Sequence, residues 1–251
     1  MASHKSQRRR GKAQTSGNPK FWGRHAVYAA LDNPERNLIK LWGTRAAIEE
    51  IVIPEGLTFQ YAEVTDLARF VPHDAAHQGL VLEVAPLEDK WLNEVLPTDD
   101  ADQRPILVLD QVTDPHNVGA IFRTAAAFDA VAIVTQDRHA PPETGALAKA
   151  ASGALELVPW IRVVNLARAL EEIAGEGYWR IGLTGHTDLI LSDALNGGRN
   201  ALVLGAEGEG MRRNIEEHCD ALAKLPISDK MESLNVSNAA AIALYAATVG
   251  K

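Results

Sequence analysis

The chain has 251 residues, 46% of them hydrophobic, which is enough to bury one large core or two modest ones. A single cysteine, Cys219, excludes an internal disulfide and a metal site built from several cysteines, and no apolar run approaches the ~20 residues that cross a membrane. The net charge of -8 hides an asymmetry, because residues 1–24 hold seven of the 25 basic residues and no acidic one. We expect a globular, cytoplasmic protein with no membrane partner.

Residues 1–20 predict a basic tail outside the folded part of the chain. They are rich in Gly, Ser and Gln as well as Lys and Arg, a composition typical of disordered segments. A basic tail on an otherwise acidic chain suits a polyanion such as RNA. A solubility tail or a relic of expression has the same composition, so both alternatives stay open.

Residues 21–86 predict a small α/β domain. Short apolar runs bounded by turn residues have the character of strands, and the stretches between them have helical patterns. The predicted strands are 38–42, one that includes 59–61, and 79–84, and the predicted helices are 26–31, 44–50 and 65–70. Residues 87–104 are acidic and have little apolar period, so we predict that they link two domains.

Residues 105–251 predict a second α/β domain with a mostly parallel sheet. Its strands and helices alternate along the chain, which places helices on both faces of the sheet. The strands are 106–110, 131–134, 157–161, 179–183 and 200–204, and the helices are 118–128, 144–151, 166–174, 211–218 and 241–247. Ligands of such sheets bind beyond the carboxyl ends of the strands, so the polar loops there are the candidate sites.

The first candidate loop follows the strand 106–110 and leads into the helix 118–128. Arg123 lies on that helix among small and apolar residues, where a buried charge is costly unless it meets an acid or a ligand. Asn117, six residues earlier, is placed to cap the helix. The two residues fit either a cap and a salt bridge or a functional site. His116 is a further candidate proton acceptor, because histidine titrates near neutral pH.

The second candidate loop is the glycine-rich stretch L-G-A-E-G-E-G-M at 204–211, between a strand and a helix. Three glycines let the backbone approach a ligand closely. The spacing G-x-x-G-x-G is not that of a dinucleotide fingerprint, and two glutamates would repel a pyrophosphate. A nucleoside that carries a positive charge fits this loop better, although a plain tight turn has the same composition.

The third candidate loop lies between Leu225 and Asn238 and leads into the alanine-rich helix 241–247, whose pattern is that of a buried helix. Ser233, Asn235 and Ser237 crowd polar groups in front of that helix, and buried polar groups need partners. On local grounds, Ser237 or Asn235 caps the helix.

Three motifs follow one another along these loops: N-x-G-x-x-x-R at 117–123, L-G-x-E-G-x-G at 204–210, and L-P-I…S-L-N-V-S-x-A at 225–239. The first domain adds G-x-H-A-V at 23–27 and H-Q-G at 77–79. In these motifs the chain resembles the SpoU-type RNA 2′-O-ribose methyltransferases of the SPOUT superfamily. The resemblance covers residues 21–251, and its two-domain form is closest to the bacterial 23S rRNA guanosine 2′-O-methyltransferases.

The resemblance implies an α/β fold of SPOUT type, in which a mostly parallel sheet with a C-terminal trefoil knot follows a small α/β domain like ribosomal protein L30e. It also implies an obligate homodimer. Composition and periodicity do not predict a knot, since threaded chains are almost absent among proteins. Under this interpretation residues 21–86 bind the RNA substrate and residues 105–251 form the methyltransferase domain.

The resemblance further implies S-adenosylmethionine as the methyl donor and no metal. The donor contacts of the family carry over to Leu204, Gly205, Leu225, Ile227 and Leu234. Backbone N–H and C=O groups at such positions can read an adenine edge while apolar side chains cover its faces.

The catalytic positions that carry over from the family are Arg123, Asn117, Glu207, Ser233 and Asn235. Arg123 matches the central catalytic residue, which is sometimes assigned as the base. Because a guanidinium stays protonated, we expect Arg123 to act as a fixed cation that stabilises the developing alkoxide or holds the neighbouring phosphate. We expect the other four to orient Arg123, the ribose and the donor.

The resulting hypothesis is methyl transfer to the ribose 2′-hydroxyl of a guanosine in 23S rRNA. A tRNA or another rRNA nucleotide is the alternative substrate, and a non-catalytic RNA-binding assembly factor is a third interpretation, which the intact motif residues disfavour. One departure from the family pattern is the charged stretch D-K-M-E at 229–232, where the family commonly has a glycine and small residues. We expect this loop to lie differently or to contact a partner subunit.

Overall fold

The computed structural model describes residues 17–99 and 101–249, which form two β-sheets. The strands of the first sheet are β1 (Lys20–Trp22), β2 (Leu38–Gly43), β3 (Thr58–Tyr61) and β4 (Leu80–Val84). Their order is β1-β4-β2-β3, with β2 and β3 parallel and β4 antiparallel to both β1 and β2. The strands are connected by helices α1 (Arg24–Asp32), α2 (Arg45–Glu49) and α3 (Val64–Leu67).

The second sheet has six parallel strands in the order β10-β8-β9-β5-β6-β7. They are β5 (Ile106–Leu109), β6 (Ile133–Gln136), β7 (Trp160–Val163), β8 (Trp179–Leu183), β9 (Asn200–Leu204) and β10 (Ala221–Ala223). The helices of this half are α4 (Leu92–Val95), α5 (Pro115–Ala127), α6 (Gly145–Ala151), α7 (Leu166–Gly175), α8 (Leu191–Ala194), α9 (Arg213–Glu216) and α10 (Val236–Val249). Because the strands are parallel, their carboxyl ends lie along one edge, where the three candidate loops begin.

Most predicted elements are confirmed, and β8 and β9 have the predicted bounds. The predicted helix 211–218 is only four residues long in the structure, as α9. β1 was not predicted, because three residues are too few to show a period. Its first residue, Lys20, lies inside the predicted tail, and residues 1–16 of that tail lie outside the described residues.

Helix α5 begins three residues before its predicted start. Asp114 is the N-cap, because its side chain accepts a hydrogen bond from the backbone N–H of His116 at 3.0 Å. Pro115 occupies the first helical position, where a missing N–H costs nothing. The prediction that Asn117 caps this helix is therefore wrong, and Asn117 lies in the first turn with its side chain bonded elsewhere.

Helix α10 begins at Val236, five residues before its predicted start. The Oδ1 of Asn235 accepts hydrogen bonds from the backbone N–H groups of Ser237 at 2.9 Å and Asn238 at 3.4 Å. One of the two predicted caps, Asn235, is thus confirmed.

Only one side of α10 is buried. Ala240, Ala243 and Leu244 are buried on the side of α10 that packs against α5 and β9. The expectation of a buried helix is wrong for the opposite side, because Ile242 and Tyr245 are 45% and 55% exposed.

The acidic segment 87–104 packs against the second sheet. It contains α4, and its Leu92 and Leu96 are buried in the apolar cluster on one face of that sheet. The buried guanidinium of Arg199 donates hydrogen bonds to the backbone carbonyls of Asp99 and Asp102. Four helical residues are too few to show a period, so the sequence alone did not indicate this packing.

A continuous apolar core joins the two halves of the chain. It contains Phe21 and Leu82 of the first sheet together with Leu107, Phe122 and Leu147 of the second half. Among the described residues no helix is long and apolar enough to span a bilayer, and no group of three or more potential ligands is placed to hold a metal ion.

Candidate active site

The three candidate loops meet at the carboxyl edge of the second sheet. Asn117 comes from the first turn of α5, Glu207 from the loop after β9, and Asn235 from the N-cap of α10. The Nδ2 of Asn117 donates to Glu207 Oε1 at 3.2 Å. The Nδ2 of Asn235 donates to Asn117 Oδ1 at 2.9 Å and to Glu207 Oε1 at 2.5 Å. We call these three side chains the polar triad.

Glu207 is the central acceptor of the polar triad. Its Oε1 also receives a hydrogen bond at 3.2 Å from the backbone N–H of Val236, the first residue of α10. A carboxylate is favoured at a helix N-terminus by the unpaired N–H groups and by the helix dipole. Glu207 thus ties the glycine-rich loop to α10, and its Oε1 is already occupied by three donors.

Position 205 requires glycine because the backbone of its own loop, at Gly210 and Met211, passes close to it. A Cβ at this position would lie 2.0 Å from the carbonyl carbon of Gly210. Two backbone hydrogen bonds between Ala206 and Gly210, of 3.1 and 2.9 Å, close the loop, and Gly208 and Gly210 have φ angles of 81° and 71°. The interpretation as a tight turn is therefore correct, and the same turn carries Glu207 into the polar triad.

A buried ion pair supports this loop and was not predicted from the sequence. The carboxylate of Asp110 is fully buried and accepts hydrogen bonds from Arg212 Nε at 2.9 Å, Nη2 at 2.6 Å and the backbone N–H at 2.8 Å. Arg212 Nη2 also donates to Gln136 Oε1 at 2.8 Å. An acidic residue directly after a buried strand was the available signal, but its partner lies 102 positions away.

The glycine of the first motif has a packing role. A Cβ on Gly119 would lie 2.5 Å from the carbonyl oxygen of Leu147 and 2.6 Å from the Cβ of Ala150, both on α6. Only glycine permits so close an approach of α5 to α6. Gly119 therefore fixes the position of the helix that carries Asn117.

Arg123 is exposed, and within residues 17–99 and 101–249 its side chain makes no hydrogen bond or ion pair. The premise that its charge is buried is therefore wrong. Six residues separate it from Asn117, which corresponds to ~9 Å along α5 and about 120° around it. The structure does not bring Arg123 into the polar triad. His116, the other candidate proton acceptor, is also exposed.

The remaining predicted positions lie at the end of β9 and between β10 and α10. Leu204 is buried, Leu225 and Leu234 are half-buried, and Ile227 is exposed. Ser233 is exposed and has no side-chain hydrogen bond within the described part of the chain. The charged stretch 229–232 beside it is exposed as well.

Residues 104–245 match the model of the family described as the SpoU rRNA Methylase family. The match covers more than half of the chain and includes Arg123 and the whole polar triad. The chain belongs to the SpoU rRNA methylase family. It is therefore an RNA methyltransferase, as the three motifs predicted.

Named relatives extend the SpoU likeness into the first half of the chain. An uncharacterized tRNA/rRNA methyltransferase of Synechocystis sp. is 38% identical over 241 residues, which is 90% of this chain and 61% of the relative. The chain thus spans about three fifths of the length of that relative. The 23S rRNA (guanosine-2′-O-)-methyltransferase RlmB of Pseudomonas syringae is 36% identical over 240 residues, 91% of this chain and 94% of the relative.

A solved SpoU structure has the same fold. The SpoU methyltransferase AviRb of Streptomyces viridochromogenes, in complex with its cofactor AdoMet, superposes with a TM-score of 0.76 at 20% identity, and the match covers 93% of this chain and 90% of AviRb. At this identity the likeness speaks for the fold alone. The predicted α/β architecture with a mostly parallel sheet is confirmed.

Proposed function

We propose that this SpoU-family chain transfers a methyl group from S-adenosylmethionine to the ribose 2′-hydroxyl of a guanosine in 23S rRNA. The observation that carries the proposal is the polar triad, which joins all three motifs at the carboxyl edge of a parallel sheet, where such folds bind ligands. The choice of 23S rRNA and of guanosine rests on the relative in Pseudomonas syringae, whose name specifies both.

The loops beside the polar triad fit S-adenosylmethionine. Leu234 lies outside helices and strands, and in the described chain its backbone N–H and C=O groups have no hydrogen-bond partner. Unpaired groups of this kind can read an adenine edge while half-buried leucine side chains cover the base. We therefore assign the donor site to five positions: Leu204, Gly205, Leu225, Ile227 and Leu234.

The chemistry requires that the 2′-hydroxyl lose its proton as its oxygen attacks the methyl carbon. When bound, S-adenosylmethionine supplies that carbon on a positively charged sulfur. Arg123 has no acidic partner among the described residues, so its donors are available to a developing alkoxide or to a phosphate of the RNA. Asn117, Glu207 and Asn235 hold the loops in register, and the exposed Ser233 orients the ribose or the donor.

The protein is a homodimer in this proposal, with α10 in the interface. Ile242, Tyr245 and Val249 expose apolar surface on one side of α10. Tyr245 also contacts Phe128 of the α5 end, with ring centroids 6.1 Å apart, so the apolar surface continues toward α5. An exposed apolar face of this kind is typical of subunit interfaces.

The domain roles complete the proposal. Residues 21–86 form an L30e-like domain that binds RNA, residues 87–104 link it to the methyltransferase domain of residues 105–251, and the basic tail of residues 1–20 adds contacts to the RNA backbone in the cytoplasm. The knot is assigned to the segments 204–210 and 225–235. Support for it comes from the hydrogen bonds that join these two segments through Glu207 and Asn235.

The test is methylation in vitro with S-adenosylmethionine that carries a tritiated methyl group. Purified protein is incubated with unmodified 23S rRNA or with tRNA, and the RNA is digested to nucleosides. We expect label in 2′-O-methylguanosine from 23S rRNA. Label only in tRNA would support the alternative substrate, which the tRNA/rRNA name of the Synechocystis relative leaves open. No label in any RNA would overturn the enzymatic proposal.

A further inference from the structure

A group of charged side chains lies buried between the two halves of the chain, outside the polar triad. The guanidinium of Arg36, between α1 and β2, is fully buried. Its Nη1 donates to Glu143 Oε1 at 2.5 Å and to the Ala85 carbonyl at 2.9 Å. Its Nη2 and Nε donate to the two carboxylate oxygens of Glu156 at 2.6 and 3.1 Å. We call Arg36, Glu143 and Glu156 the buried clasp.

The buried clasp joins the first half of the chain to helix α6. Glu143 lies two residues before α6, and Glu156 ends the short 3-10 helix that follows it. Helix α6 itself is held on two sides. A Cβ on Gly145 would lie 2.0 Å from the carbonyl oxygen of Lys20 in β1, and α5 approaches through Gly119. A path of close contacts therefore runs from the first sheet through α6 to α5 and its Asn117.

The energetics of the buried clasp indicate a role in geometry. The desolvation of one cation and two carboxylates offsets much of the free energy of their electrostatic attraction. Apolar side chains would therefore stabilise the same interface at least as well. Arg162, 3.9 Å from Glu143 and mostly buried, supplies a second cation nearby. A planar guanidinium paired with two fixed carboxylates accepts one arrangement, whereas an apolar interface tolerates sliding. The clasp therefore specifies one orientation of the two halves.

We propose that Arg36 is a positioning residue for the methyl transfer. Through the buried clasp it fixes the RNA-binding half against α6 and α5, so that the ribose of a bound RNA reaches the polar triad in one orientation. The inference rests on the proposed function, because it requires that the first half bind the substrate. It predicts that loss of the clasp lowers productive use of RNA and leaves donor binding unchanged.

The test uses a variant that removes the charges of the clasp together. Arg36→Met alone would leave Glu156 without its cation and Glu143 with only the more distant Arg162, which endangers folding. The triple variant Arg36→Met, Glu143→Gln, Glu156→Gln removes all three charges at similar volume. The control is Arg168→Met with Glu172→Gln, which breaks an exposed ion pair of 3.0 Å on α7 of the second half.

Two measurements are made on each protein. The first measurement is the distance between the two halves. Val52 and Val164 lie on different halves and are 90% and 85% exposed, so each is replaced by cysteine and carries a nitroxide label, in a protein whose own Cys219 is replaced by serine. Pulsed electron paramagnetic resonance then gives the distribution of distances between the two labels. Steady-state methylation and calorimetry report kcat/KM for RNA and Kd for S-adenosylmethionine. We expect a broadened distance distribution and a loss of at least tenfold in kcat/KM for the triple variant, with donor Kd changed less than twofold and the control unchanged.

A distance distribution that stays narrow in the triple variant overturns the proposal, and so does an unchanged kcat/KM for RNA. Failure of the unaltered protein to methylate any RNA contradicts the proposed function instead. In that case Kd for RNA replaces turnover, and the clasp must still show both a broadened distribution and weaker RNA binding in the triple variant.

Discussion

Asn235 serves two elements with one side chain, because its Oδ1 caps α10 while its Nδ2 donates to Asn117 and Glu207. Aspartate caps a helix as well as asparagine does, but an ionised aspartate donates no hydrogen bond. We expect Asn235→Asp to keep α10 capped and to lower kcat on the order of tenfold or more, because a second carboxylate then faces Glu207. Steady-state methylation and thermal unfolding measure the two effects.

The matched control is Asn165→Asp, because Asn165 caps α7 by accepting from the N–H of Arg168. Both variants should unfold within about 4 °C of the unaltered protein, a shift worth ~1 kcal/mol in a chain of this size. Normal turnover in Asn235→Asp would show that the donated hydrogen bonds of the polar triad are dispensable.

Cys219 is a packing residue, because it packs, partly buried, against the apolar cluster on one face of the second sheet. Burial raises the pKa of its thiol to about 12, and its Sγ donates to the Ile215 carbonyl at 3.4 Å. At pH 8 only roughly one thiol in ten thousand is then the reactive thiolate. We expect a disulfide reagent such as dithionitrobenzoate to modify the native protein at least a hundredfold more slowly than the urea-unfolded chain. Equal rates would contradict this assignment.

At the residue scale the sequence predicted the three side chains of the polar triad, but it also grouped Arg123 with them, and it missed the ion pair that supports their loop. Asn117, Glu207 and Asn235 were visible because each stands in a motif of fixed spacing. Asp110 and Arg212 stand in no recognisable pattern relative to each other, and their pairing depends on the parallel neighbours β5 and β9. Strand order is a property of the whole sheet, so a local reading of the sequence does not reveal it.

Gly119 sets the spacing of α5 and α6. Glycine to alanine inside a helix ordinarily stabilises it by up to ~1 kcal/mol, but here the added Cβ would meet Leu147 and Ala150 at 2.5 and 2.6 Å. Overpacking costs about 1–3 kcal/mol, so we expect Gly119→Ala to lower the free energy of unfolding by ~1–2 kcal/mol in urea titrations.

The control for this substitution is Gly175→Ala, at the end of α7, where a Cβ would meet nothing within 4 Å. We expect it to be neutral or slightly stabilising. Equal stability of the two variants would argue against close helix packing at Gly119.

The edge strand β10 is joined to β8 by an ion pair. Asp220 accepts from Arg180 Nε at 2.8 Å and Nη2 at 2.6 Å, and this hydrogen bonding lowers the pKa of Asp220. A carboxyl group whose pKa is lower in the folded state stabilises the folded protein at pH values above its unfolded pKa of about 4. This stabilisation is lost as the pH falls through the pKa of the folded state.

We expect Asp220→Asn to lower the free energy of unfolding by ~1.5–3 kcal/mol at pH 7, the range for hydrogen bonds to charged groups. The difference from the unaltered protein should shrink as the pH falls below about 4, since the carboxyl is then protonated. Urea titrations over this pH range provide the measurement. If the difference in free energy of unfolding between the two proteins does not change with pH, the ion pair is not its cause.

At the element scale the strands were predicted better than the starts of the helices. Buried strands such as β9 are continuous apolar runs whose ends the sequence marks clearly. The predicted start of α5 was wrong because Asn117 was taken as its cap. The sequence Asp114-Pro115 is a stronger signal for a helix start, since Asp is a good N-cap and Pro suits the first helical position. The predicted start of α10 was too late because the alanine-rich pattern begins only after Asn238.

The whole molecule exposes an apolar face on α10 that a second copy would cover. We expect Tyr245→Glu, at a side chain 55% exposed, to shift the protein from dimer to monomer in light scattering, because a buried unpaired charge is costly in an interface. Val52→Glu, at a 90% exposed valine on the first half, is the control and should leave the mass unchanged. A monomeric unaltered protein would contradict the proposed dimer.

The central claim is that this SpoU-family protein methylates the ribose of a guanosine in 23S rRNA with Arg123 at the reacting centre. The most direct measurement maps 2′-O-methylation in 23S rRNA from a strain that lacks the protein. The same map is made after the strain is supplied with the unaltered protein or with the variant Arg123→Lys. This variant keeps the positive charge and loses the planar guanidinium. The account predicts that one 2′-O-methylguanosine disappears, returns with the unaltered protein and does not return with Arg123→Lys. Persistence of every 2′-O-methylguanosine in the strain without the protein would contradict it.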